Sequence, residues 1–86
     1  MTKPVLYLTN NVSEAVRQLR PQAQRYNLGF GRGIFKSGDE FIIRRADTAE
    51  DAKYIRGFDI SRFEVIGYAH PAVIEMAKTL VKGPMK

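Results

Sequence analysis

Phe41-Ile42-Ile43 is the tightest constraint on what this chain can fold into. Three consecutive apolar residues in an extended segment put apolar groups on both faces, which a strand tolerates only inside a sheet. Glu40–Ala46 therefore reads as a central strand. A second short apolar run, Val5-Leu6-Tyr7-Leu8-Thr9, is rich in strand formers and reads as another buried strand. Phe63–Tyr68 supplies a third, and Arg32–Lys36 pairs with Glu40–Ala46 through a Ser37-Gly38 turn.

Helical signals fall between these runs. Asn11 or Ser13 can cap a helix in which Val12, Val16, Leu19, Ala23 and Tyr26 form one apolar stripe. Pro21 interrupts it on the solvent side, and because the stripe keeps phase the reading is one kinked helix rather than two. Thr48 with Asp51 has the spacing of a capping box, and Gly57 suits the left-handed end of the short helix that follows. Pro71 opens a last helix with Val73, Ala77 and Leu80 inward, flanked by Ile74, Met76 and Val81. Glu75, Lys78, Thr79 and Lys82 face solvent there, and Gly83-Pro84 ends it.

The expected fold is thus a small α/β (α+β sandwich) domain over residues 1–86, with four strands and three helices in the order β-α-β-β-α-β-α. Two architectures accommodate it. One is a ferredoxin-like antiparallel sheet with its first two helices on one face. The other is a truncated nucleotide-fold sheet, with the first and last strands parallel and the hairpin as an elaboration between them.

Composition narrows function. Eighty-six residues with 44% hydrophobic and 27% charged content make an ordinary folded domain. No cysteine is present, which excludes disulfides and thiolate metal sites. The apolar N-terminal run is too short for a signal core or a membrane span, so a cytoplasmic protein with no membrane association is expected. Fourteen Lys and Arg against nine Asp and Glu give +5 and a pI near 9.8, a balance that attracts polyanions.

Between Val5 and Ile66 the chain resembles the segment linking the Walker A and Walker B motifs of phage terminase and helicase motor domains. The residues that carry the likeness are Val5–Thr9, Lys36–Ile43, Arg56-Gly57-Phe58-Asp59 and Val65-Ile66. The catalytic parts are missing. No G-x-x-x-x-G-K-[ST] loop exists, and Gly67-Tyr68 stands where the magnesium-binding and water-activating acids would be. The resemblance implies a cut-down, non-catalytic relative of a viral motor.

Other motifs are weaker. Gly29-Phe30-Gly31-Arg32-Gly33 follows a helix and opens a strand, the reverse of a phosphate-binding loop. Leu28 replaces the cation that an RNA-recognition motif would place before Gly-Phe-Gly, so a helix cap and hairpin entry is the simpler reading. His70 is the sole histidine and reads as a helix-start residue. Carboxylates and hydroxyls form no acid–base pair or nucleophile elbow. No enzymatic activity, metal or cofactor is expected.

The leading functional expectation is a binding module in a nucleic-acid context. Arg32 and Lys36 on one hairpin strand and Arg44 and Arg45 on the other form a basic sheet surface near Phe41. Arg17 and Arg20 add charge on the outer side of the first helix, as does Arg25. The alternative is a protein-interaction module, such as a small phage-type inhibitor or accessory subunit, docking through exposed aromatics such as Phe58 and Tyr68.

Overall fold

The structure, a computed structural model, describes residues 3–27 and 31–81. Its strands are β1 (Val5–Thr9), β2 (Ala23–Asn27), β3 (Arg32–Phe35), β4 (Glu40–Arg45) and β5 (Arg62–Ile66). The α-helices are α1 (Val12–Leu19) and α2 (Pro71–Val81), with 3-10 segments at Arg20–Gln22 and Ala49–Tyr54. All five strands lie in one sheet of order β2-β3-β4-β1-β5.

β1 runs parallel to both β4 and β5, whereas β2, β3 and β4 form an antiparallel meander. The ferredoxin-like expectation is therefore corrected, since that fold has no parallel neighbours. The parallel first and last strands are those of the other architecture considered. β4 occupies the middle of the sheet, as its doubly apolar sequence requires, and Phe41, Ile42 and Ile43 are all buried.

Strand alternation sorts the core into two layers. On one face Leu6, Leu8 and Ile42 pack with Ile55 and Ile60 from the segment after the 3-10 helix and with Val73 and Ala77 from α2. On the other, Phe35, Phe41 and Ile43 pack with Ala15 and Leu19 of α1. Phe35 and Phe41 stack with centroids 4.5 Å apart, and Tyr7 meets both edge-on at 6.1 and 6.3 Å. These are the favoured aromatic geometries.

The expected long first helix is the second correction. α1 ends at Leu19, the chain makes one 3-10 turn through Pro21, and Ala23 is already extended at ψ 134°. Pro21 has no N–H to donate to the Arg17 carbonyl, so the α-helical ladder stops there. The polar backbone of residues 23–27 pairs instead with β3, in the register Ala23↔Phe35, Tyr26↔Gly33 and Asn27↔Arg32. The same apolar residues thus serve a strand, which raises the strand count from four to five.

The remaining boundaries follow local chemistry. The Asp51 carboxylate accepts from the N–H groups of Asp47 (2.8 Å) and Thr48 (3.0 Å), as a capping box requires, though the helix it starts is 3-10. His70 Nδ1 accepts from the Ala72 N–H at 3.0 Å and caps α2. β5 stops at Ile66, two residues before the expected Tyr68, where Gly67 takes φ +81°. Lys82, Gly83, Pro84, Leu28, Gly29 and Phe30, which entered the sequence reading, lie outside the described residues.

Gly33 lies directly opposite Phe41 across the β3–β4 ladder. A Cβ at Gly33 would collide with the Phe41 ring and lie 2.8 Å from the Arg25 carbonyl oxygen. The glycine is the space into which the central aromatic of the α1-side core fits. Gly33→Ala is expected to cost about 1–3 kcal/mol through overpacking. Urea unfolding measures it, and a cost near zero would show that Phe41 has room to move.

Candidate nucleic-acid interface

α1 packs over β4 and β1, while α2 packs over β5 and the 3-10 helix. Among the described residues, neither helix extends over the α2-side face of the β2–β3–β4 wing. Cross-strand partners in an antiparallel ladder project to the same side. The register Arg32↔Ile42 and Ile34↔Glu40 therefore places four side chains together on that open face. Arg44, two residues beyond Ile42, joins them.

Arg25 reaches the same face through a β-bulge. Ala23 pairs with Phe35 and Arg25 with Ile34, so two steps on β2 match one on β3. Regular alternation would have put Arg25 on the same side as Ala23, which packs in the α1-side core. The extra residue re-aims Arg25 across the sheet. A cavity of about 380 Å³ lies over Arg25, Arg32, Ile34, Glu40 and Ile42. Its floor is the half-buried Ile34 and the buried Ile42, with the charges at its rim.

Arg44 lies over the Phe58 ring, 5.2 Å from the centroid, and donates from Nη1 to the Ile43 carbonyl at 3.0 Å. Burial and, secondarily, the neighbouring Arg32 charge lower its pKa from the usual guanidinium value. Two like charges thus share a partly desolvated surface, an arrangement that a bound anion relieves. Arg25 and Arg32 enter no ion pair among the described residues. Among the described residues, Glu40 is the single acid lining the cavity.

The sequence-derived cations do not all assemble here. Arg32 and Arg44 share the open face. Arg45, next to Arg44 on β4, projects to the opposite, α1 side. Arg17 is ion-paired to Glu14 on α1, and Arg20 lies at the end of that helix beside shallow hollows that Gly31 also lines. Lys36 follows β3 and borders a separate cavity of about 490 Å³ with Tyr7, Phe35, Asp39 and Arg62. Of the aromatics proposed for docking, Phe58 is half-buried against the core and covered by Arg44, whereas Tyr68 is 46% exposed.

The helical stripe predicts Arg25 on the outer side of a helix, away from the hairpin cations. Only Pro21 hinted otherwise, and nothing in the spacing of residues 23–27 announces a bulge. Among the described residues no cluster of His, Cys, Asp and Glu could hold a metal ion, and no helix is long and apolar enough to cross a membrane. No protein-family model, curated protein or solved structure matches the chain.

The Tyr7 phenol at the Lys36 cavity has a displaced titration. Burial pushes the Tyr7 phenol above its ordinary 10.0, partly opposed by the charge of Arg62. A raised acid pKa means the fold favours the neutral phenol. This stabilisation is complete below pH 10 and is lost as pH rises through the folded-state value. Tyrosine absorbance titration should show a late phase absent from Tyr7→Phe, which should also flatten the alkaline loss of stability. An unchanged titration would remove the burial argument.

Proposed function

We propose that this chain is a non-catalytic module that binds nucleic acid through the open face of the β2–β3–β4 wing. Arg25, Arg32 and Arg44 contact phosphates there. The observation that supports this reading is the convergence of three arginines from three strands on one apolar-floored surface that the described helices leave uncovered. The bulge aims Arg25 at it, and Phe58 supports Arg44 from below. Guanidinium forks match phosphate oxygens better than ammonium groups do, and the net charge of +5 favours encounter with a polyanion. A cytoplasmic setting agrees with the cysteine-free composition. The resemblance to a motor fragment without catalytic loops is compatible with a binding role and adds no chemistry to it.

A second reading, docking onto a larger protein as an inhibitor or accessory subunit, has one observation in its favour. Val65 and Tyr68 are 42% and 46% exposed at and just beyond β5, a strand with an open edge. Such binding would tolerate salt, whereas phosphate binding would not.

Fluorescence anisotropy of labelled single- and double-stranded DNA and RNA, titrated with protein across a salt series, separates the two. Affinity is expected to fall steeply with salt. For a single strand, Arg32→Ala and Arg44→Ala should each lower the log–log slope by about 0.7. Arg45→Ala, on the opposite face, should leave the slope unchanged. No binding at low salt, or equal loss from Arg45→Ala, would overturn the assignment of this face.

A further inference from the structure

We infer that the cavity between Arg25 and Glu40 receives one unpaired base of a single strand, and that the Glu40 carboxylate selects guanine. This rests on the proposed nucleic-acid function and adds to it both the form of the strand and the base read.

The argument starts from Glu40. A carboxylate on a surface that binds phosphates weakens that binding by like-charge repulsion. It contributes only if the ligand also brings hydrogen-bond donors. Glu40 enters no ion pair among the described residues, so its acceptor oxygens are not committed to a cation. It stands in one cross-strand row with Ile34 and Arg25, the isoleucine in the middle. Adjacent strands are about 4.8 Å apart. The Arg25 and Glu40 backbones therefore lie two strand spacings, roughly 10 Å, apart, which leaves room between their side chains for a base laid on Ile34 and Ile42.

The cavity of about 380 Å³ is in the size range of small-ligand sites. It is a depression in a sheet, and among the described residues no helix stands over it to enter a duplex groove. A base still paired in a duplex cannot turn its face onto Ile34. A splayed base can, with a guanidinium plane beside it and its backbone directed to Arg32 and Arg44. Their positions are diagonal neighbours on β3 and β4, which suits successive phosphates of an extended strand.

Base identity follows from donor geometry. The Watson–Crick edge of guanine presents N1–H and an N2 amino hydrogen side by side, matching the two oxygens of an ionised carboxylate. Adenine and cytosine offer one amino donor beside a ring acceptor that repels the second oxygen. Thymine offers a single N–H between two carbonyls. Glu40 is the exposed first residue of β4, so its replacement leaves the core untouched.

The test uses eight-nucleotide thymidine oligomers with one central position as guanine, adenine, cytosine or thymine, titrated by anisotropy at one low salt concentration. The wild-type protein should bind the guanine oligomer about tenfold or more tightly than the others. Glu40→Gln should reduce that preference to about twofold or less. It should also bind the all-thymidine oligomer more tightly, because a negative charge has gone. Equal wild-type affinity for all four oligomers would overturn the inference while leaving phosphate binding intact, as would a guanine preference that survives Glu40→Gln. Equal affinity for the guanine oligomer and its duplex would overturn the single-strand assignment. Failure to bind any oligomer at low salt would remove the inference together with the function on which it rests.

Discussion

The position of β1 organises the molecule. It is hydrogen-bonded on both edges, parallel to β4 on one side and β5 on the other, with Leu6 and Leu8 at zero exposure on one face. A strand so placed cannot be joined to its neighbours by tight turns. Parallel pairing demands crossovers, and these deposit helices on the faces. The β1-to-β4 connection thus lays α1 on one side and the β4-to-β5 connection lays the 3-10 helix on the other, where α2, which follows the last strand, packs beside it. Thr9 closes the strand, with Oγ1 accepting from the Asn11 N–H at 3.0 Å, and its carbonyl takes the Ala46 N–H at 2.8 Å. The end of β1 is thereby tied both to the helix that follows and to the end of β4.

The antiparallel wing obeys different rules. β2 and β3 join β4 by short connections and bring no helix with them, so the cover supplied by the parallel half does not extend over them. Burial on the α1 side is nevertheless met by Phe35, Phe41, Ala23 and Leu19. The α2 side is left with arginines around two isoleucines. A sheet assembled from a parallel half and a meander thus carries core on both faces, but on the α2 side the helical cover stops short of the wing. The candidate site lies where the cover ends. Its charge follows from the same economy, since arginine lays an apolar stem along an open sheet while keeping its head in water.

Local chemistry was largely legible along the chain. Asp51, Pro71 and His70 act through neighbours within four residues, so their roles are readable without any tertiary contact, whereas the 3-10 helix ends at Tyr54, capped by Ile55 rather than by the expected Gly57. The doubly apolar Phe41-Ile42-Ile43 announced an interior strand in the same way. Residues 20–27 were misread because their apolar spacing satisfies a helical stripe and a bulged strand alike. The choice depended on whether β3 was available to accept the backbone. The site suffered accordingly. Arg32 and Arg44 were recognised from the hairpin, Arg25 was set on a helix, and Arg45 was grouped with Arg44 although successive strand residues point to opposite faces.

The sequence by itself determined the segments that extend, the caps that begin helices, the absence of cysteine and of a phosphate loop, and an excess of positive charge. These depend on residue type and on spacings of a few positions. Only the tertiary structure decided that β1 lies between β4 and β5, that the chain after Pro21 becomes a strand, and that three of its arginines share one open face. Each of those outcomes depends on pairing between residues distant in sequence. Backbone hydrogen bonding makes that pairing obligatory without saying which strand supplies the partner.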